Sequence, residues 1–112
     1  MAEDCLFCGI VAGTVPADIV YADDAAVAFR DINPQAPVHV LVVPREHVVD
    51  LRELGGRPDL AGPYVAAIGK VADNLDAPDF RTVFNTGAPV GQSVFHIHAH
   101  LLAGRPMGWP PG

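Results

Sequence analysis

Five histidines occur in this chain, and three of them alternate with apolar residues in one short run, Phe95-His96-Ile97-His98-Ala99-His100-Leu101. Successive side chains of an extended strand point to opposite faces. Read as one strand from Ser93 to Leu102, the run puts His96, His98 and His100 on a single face, with imidazoles about 6.5–7 Å apart. Phe95, Ile97, Ala99 and Leu101 then share the other face and pack against a helix. An isolated strand histidine is usually a satisfied surface or core residue, whereas three in strict alternation make a titratable row. Imidazole serves both as a metal ligand and as a nucleophile that forms covalent intermediates, and the spacing alone does not separate the two.

Cys5-x-x-Cys8 supplies a second set of reactive groups. It is one half of a typical zinc arrangement, and no second C-x-x-C accompanies it, so histidines would have to complete four ligands. Free thiols or a redox pair are the alternatives. A thioredoxin-like reading needs a βαβ context that this N-terminal position does not offer. Other catalytic templates are absent: the chain has no G-x-x-x-x-G-K-[ST], H-E-x-x-H, G-x-G-x-x-G or G-x-S-x-G. Ser93 is its single serine, with no nucleophile elbow around it.

The elements that must position these groups are short and punctuated by Pro and Gly. Leu6 to Val11 reads as a helix following Asp4, a candidate N-cap, and closing at Gly13. Asp18 to Tyr21 and Ala25 to Arg30 read as strands around Ala22-Asp23-Asp24. Val38 to Val43 is a nearly continuous β-branched run, which predicts a central strand covered on both faces and ended by Pro44. Val48 to Leu54 reads as a short helix. Asp59 to Leu75 places Val65, Ile68, Val71, Ala72 and Leu75 at helical period, with Pro63 near its start. Phe80 to Phe84 and Ser93 to Leu102 complete the strands, separated by a loop from Asn85 to Gln92. The last residues, with three prolines and the single Trp, predict an extended tail over about residues 103–112. This order predicts a single α+β domain over residues 1–112, with an antiparallel sheet.

Composition narrows the function. Half of the 112 residues are apolar and 18 % are charged, which suits a packed core and argues against disorder. The net charge is −6 and the seven basic residues are scattered, so no nucleic-acid partner is expected. Any phosphate site should be local, built from backbone N–H groups and a few side chains. No stretch approaches the roughly 20 apolar residues of a membrane span. Met1-Ala2-Glu3-Asp4 has no apolar run of the secretory kind, and the expected location is the cytoplasm.

His96-Ile97-His98-Ala99-His100-Leu101-Leu102 resembles the signature of the histidine-triad (HIT) family. Gly91-Gln92-Ser93-Val94 before it and Trp109-Pro110-Pro111-Gly112 after it resemble the Hint branch. So do the segments from Asp31 to His39 and from Pro44 to His47. The resemblance covers essentially the whole chain. It implies a five-stranded antiparallel sheet with two main helices. It also implies a homodimer, with the long helix and a strand at the interface. The implied activity is hydrolysis of the P–N bond of purine nucleoside 5′-phosphoramidates and related AMP conjugates, with His98 as nucleophile. His100 and His39 would contact the phosphate, and Ser93 would hydrogen-bond the leaving group. Asn85 and Gln92 would belong to the nucleotide site. Such chemistry requires His98 to be neutral on its attacking nitrogen, with the other ring nitrogen donating to a fixed acceptor such as a backbone carbonyl.

By the same resemblance, Leu6, Phe7, Ile10, Phe29 and Ile32 form an apolar base pocket and Asp31 takes the ribose hydroxyls. Read without the resemblance, the apolar ones are ordinary core. Trp109 is expected to approach the partner subunit's site. The resemblance also implies that Cys5, Cys8, His47 and His96 would form a closed structural zinc site, a combination used by zinc-binding members of the family. Two rival functions remain open: a dinucleoside polyphosphate hydrolase of the fragile-histidine-triad type, and a non-catalytic, zinc-stapled nucleotide-binding adaptor.

Overall fold

The β-branched run at Val38–Pro44 forms the middle strand, β3, of an antiparallel sheet in the computed structural model, which describes residues 4–112. Among those residues the sheet has five strands in the order β1-β2-β3-β5-β4. The others are β1 (Ile19–Ala22), β2 (Ala26–Arg30), β4 (Arg81–Val83) and β5 (Ala99–Ala103). Pro44 ends β3 as its last residue, where it faces Ala26 across the ladder.

Alternation along β3 explains how both faces are covered. Val40 and Val42 pack with Ala28, Ala99 and Leu101 against helix α3 (Pro58–Asn74). Leu41 and Val43 turn the other way, joining Val27 and Phe29 against Phe7 and Ile10 of helix α1 (Leu6–Ala12). Burial of side chains of this size stabilises by about 1.5–3 kcal/mol each. Tyr64 ties the α3 layer to the sheet, because its buried hydroxyl donates to the Val42 carbonyl at 2.6 Å.

Several expected boundaries shift for local reasons. The N-cap of α1 is Cys5 rather than Asp4, since the Cys5 sulfur accepts from the Cys8 backbone N–H. Gly13 closes α1 in the left-handed region at φ 80°, which only glycine adopts without cost. Helix α2 (Leu51–Gly55) begins later than expected, because Asp50 caps it: Asp50 accepts from the Glu53 N–H, and Glu53 accepts from the N–H of Val49, one residue before the cap. Pro58, not Pro63, opens α3, and Pro63 lies inside the helix. Val65 is 60 % exposed, and Tyr64, Ala67, Ile68 and Val71 make the buried stripe.

The largest departure is at the histidines. The strand starts at Ala99 rather than Ser93, because the chain bends through Val94–His96. The expected alternation therefore fails at Phe95, which is 48 % exposed instead of packing with Ile97, Ala99 and Leu101.

Candidate active site and metal centre

His39 on β3 and His100 on β5 lie on the α1 side of the sheet, with Leu41 opposite His100 in the ladder. His98, one pleat before His100, precedes the strand proper. Its ring is 5.2 Å from that of His100 and stands edge-on to Phe7 of α1 at 5.0 Å.

Backbone groups fix the protons on this cluster. The Gln35 backbone N–H donates to His39 Nδ1 at 2.9 Å, so that nitrogen carries a lone pair. A neutral His39 then has its proton on Nε2, which faces His100 Nδ1 at 3.0 Å. His39 donates across that contact, and His100 is left with its own N–H on Nε2. His98 is held in the opposite tautomer: its Nδ1–H donates to the His96 carbonyl at 2.9 Å. Its lone pair therefore sits on Nε2, which has no partner within the described residues and is not sealed from solvent. The backbone acceptor that the sequence reading calls for is thus the His96 carbonyl. Burial, followed by the neighbouring His98 and His39 rings, holds His100 below the usual histidine value, against the pull of Asp31.

Asp31 divides its carboxylate. One oxygen accepts from the Asn33 N–H at 2.8 Å, and the other lies 3.4 Å from His39 Nε2. It lines a cavity of about 660 Å³ together with Leu6, Phe7, Ile10, Phe29 and Ser93. The structure thus brings the residues expected for a nucleoside pocket onto one wall. Ile32 also borders the cavity, but its side chain is fully exposed. Ser93 is exposed at the rim, its hydroxyl uncommitted among the described residues. Asn85 lines a second hollow of about 360 Å³, shared with His39 and His100.

Gln92 behaves differently from a ligand contact. It is 3 % exposed, its carbonyl accepts from the Gly87 N–H, and its amide donates to the Val49 and Val94 carbonyls. It ties down the loop that carries Ser93. Trp109 is 83 % exposed on the tail. Sequence reasoning missed Gln35 because it acts through its backbone.

The bend at His96 has a separate purpose. Its ring is fully buried, and its Nε2–H donates to the Pro44 carbonyl at 2.9 Å. Its Nδ1 therefore points a lone pair at the Cys5 and Cys8 sulfurs, 3.4 and 3.5 Å away. His47 Nδ1 is 3.3 Å from the Cys8 sulfur. These four ligand atoms lie within 4.8 Å of one another. A tetrahedral Cys2His2 zinc centre has S···N edges of about 3.5 Å, given Zn–S near 2.3 Å and Zn–N near 2.0 Å. The donor set fits zinc in type and spacing, and the His96–Pro44 bond is the outer-shell support that such ligands use.

A HIT domain model matches residues 12–107. A HIT-like protein of Synechocystis is 48 % identical over 116 residues, covering all of both chains. The purine nucleoside phosphoramidase of Escherichia coli is 40 % identical over 111 residues, covering 96 % of this chain and 93 % of that protein. The crystal structure of a HIT family hydrolase from Legionella pneumophila superposes with a TM-score of 0.88 at 42 % identity, covering 97 % of this chain and all of the other.

Proposed function

The chain belongs to the histidine-triad (HIT) family, and on that premise we propose that it is a nucleotide hydrolase cleaving the P–N bond of purine nucleoside 5′-phosphoramidates. The observation that carries this reading is the tautomer of His98. Its Nδ1–H is spent on the His96 carbonyl, so a neutral Nε2 lone pair is available on a ring that stands edge-on to Phe7 of the cavity wall. That nitrogen attacks phosphorus in line. The bond to the leaving amine breaks, the amine nitrogen keeps the electron pair, and a proton reaches it through Ser93. Water then attacks the nucleotidyl-histidine and releases the monophosphate. The Nε2–H of His100, held outward by His39, offsets charge on the phosphoryl oxygens.

The nucleoside occupies the cavity of about 660 Å³, with its base against Phe7 and Phe29 and its ribose at Asp31. The purine preference follows the Escherichia coli relative, which is named for it. Cys5, Cys8, His47 and His96 would hold a structural zinc, since four protein ligands would leave no open position. Ligation at His96 would brace the strand approach that presents its carbonyl to His98. Two copies pair through α3 and the sheet edge at β4, consistent with the exposed Val65, and Trp109 reaches toward the partner's site. Among the described residues no helix is long and apolar enough to cross a membrane.

The test is AMP release from adenosine 5′-phosphoramidate measured beside diadenosine triphosphate. The proposal expects the phosphoramidate to turn over faster by kcat/KM. A preference for the dinucleotide would assign the chain to fragile-histidine-triad chemistry, and no release from either would leave a binding module.

A further inference from the structure

The cavity of about 660 Å³ is mostly apolar, and its only polar side chains are those of Asp18, Arg30, Asp31 and Ser93. In such a site the few polar groups set orientation and specificity. The proposed hydrolysis uses Ser93 at the leaving group and Asp31 at the ribose, which leaves Asp18 and Arg30 without a role. Their side chains pair, with Arg30 Nε 3.3 Å from an Asp18 carboxylate oxygen, and both are exposed. An exposed ion pair contributes little to stability. Its place in the sheet is nonetheless definite. Asp18 precedes β1, and its carbonyl accepts from the N–H of Arg30, the last residue of β2, at 3.0 Å. Asp31 follows β2, and its N–H donates to the His39 carbonyl on β3 at 3.1 Å. Its carboxylate joins the cavity to the histidines, since one oxygen lies 3.4 Å from His39 Nε2, and His39 faces His100 on β5. Crossing the sheet from β5 and β3 through β2 to β1 therefore passes the histidines, then the ribose carboxylate, then the Asp18–Arg30 pair. With strands about 4.8 Å apart, that run is roughly 14 Å. It repeats the order of phosphate, ribose and base in a nucleoside monophosphate, and the base edge ends at Asp18 and Arg30.

We propose that Asp18 and Arg30 read the base, and that they favour guanine over adenine. The inference rests on the nucleotide-hydrolase reading and names the substrate class of that site. The outer edge of guanine offers its N1–H and 2-amino donors side by side, followed by the O6 acceptor. The Asp18 carboxylate supplies two acceptor oxygens. Arg30 turns its Nε toward Asp18, and its terminal N–H groups remain as donors for O6. Acceptor, acceptor, donor on the protein thus meets donor, donor, acceptor on guanine. Adenine presents an N1 lone pair to the carboxylate and an amino group to the guanidinium, so like faces like at both points. A site built for one hydrogen-bonding pattern rejects the other because its own polar groups are left unpaired. Water reaches this exposed pair and offsets part of that loss, so the discrimination is about tenfold and not thousands.

The experiment is calorimetry with GMP, IMP and AMP, which differ only in the base and are not consumed. GMP should bind about tenfold tighter than AMP. IMP keeps N1–H and O6 but lacks the 2-amino group, and should fall between them. Asp18→Asn replaces one acceptor with an amide N–H₂, a pattern that suits adenine. GMP should weaken and AMP should tighten, bringing the ratio to one or below, whereas a merely structural loss would weaken both alike. Arg30→Gln should also lower the ratio, and Arg30→Lys should keep more of it. The Tm of each variant should shift little, because the pair is exposed. The kcat/KM ratio for guanosine and adenosine 5′-phosphoramidates should follow the binding ratio. If neither phosphoramidate turns over while GMP is still preferred through Asp18, the hydrolase reading falls and the base reading stands. Equal binding of GMP and AMP, tighter binding of AMP, or a GMP preference unchanged by Asp18→Asn overturns the inference, and the hydrolase reading is then still judged by turnover.

Discussion

His39 Nε2 lies 3.0 Å from His100 Nδ1, and the direction of that hydrogen bond is set from outside the pair by the Gln35 backbone N–H. A proton on His100 Nδ1 would face the His39 Nε2–H, and one on His39 Nδ1 would face the Gln35 N–H, in each case two donors face to face. The arrangement therefore works with both rings neutral, and the outward Nε2–H of His100 is its output.

This relay gives a pH prediction. Burial keeps the folded-state value of His100 below the usual histidine value. The acid limb of kcat/KM should therefore fall below that value, with a plateau through neutrality. Stability follows the same sign. Between the folded and ordinary values the unfolded chain binds the extra proton, so stability rises with pH there. It is fully present above the ordinary value and is lost as pH falls through the folded one. Long-range ¹H–¹⁵N spectra at pH 7.5 should show both His39 and His100 protonated on Nε2, and His98 on Nδ1. An Nδ1–H tautomer at His100 would remove the relay.

His98 is the position where one atom decides the chemistry. His98→Asn should lower turnover of adenosine 5′-phosphoramidate by at least about a thousandfold, because no other imidazole nitrogen takes its place. AMP affinity should stay within about threefold, since the base wall at Phe7 and Phe29 is untouched. Rapid quench of the unsubstituted protein should trap a nucleotide on one histidine. Activity within tenfold of the unsubstituted chain would sink the nucleophile assignment.

The sheet was legible in the sequence where a segment's pattern had one cause. Apart from His39, the Val38–Val43 run is apolar on both faces because helices cover both, and it reads so. The histidine run has two causes laid over each other. His98 and His100 follow strand alternation, while His96 turns off it to meet Cys5 and Cys8, so the strand is shorter than the pattern suggests. Cys5 likewise serves as helix cap and candidate ligand, which masked the N-cap. The base wall was found through resemblance rather than periodicity, since Phe7 and Phe29 read equally as core.

The Cys2His2 group predicts one zinc per chain and a measurable linkage. At a free zinc concentration a hundred times Kd, binding stabilises by about 2.7 kcal/mol. For a chain of this length that corresponds to roughly 10 °C in Tm. Treatment with a strong chelator, or Cys8→Ala, should lower Tm by about that amount and remove the metal detected by emission spectrometry. The thiolates must be deprotonated to bind, so the Tm difference should shrink as pH falls. A metal-free preparation with a Tm indifferent to chelator would end the zinc reading.

Gln92 separates a structural role from a ligand role. Its amide satisfies the Gly87 N–H and the Val49 and Val94 carbonyls, at 2.8–3.2 Å, from a side chain that is 3 % exposed. Gln92→Ala leaves those groups without partners beside a small void. The cost should be about 2–3 kcal/mol, because an orphaned polar group loses more than the bond was worth. Thermal unfolding should therefore shift down by roughly 10 °C. AMP affinity at 15 °C, where the variant remains folded, should change by less than about threefold, since the amide makes no approach to the nucleoside wall. A tenfold loss of AMP affinity with an unshifted Tm would mean that the side chain leaves its backbone partners for the nucleotide, and the loop would then be held by something else.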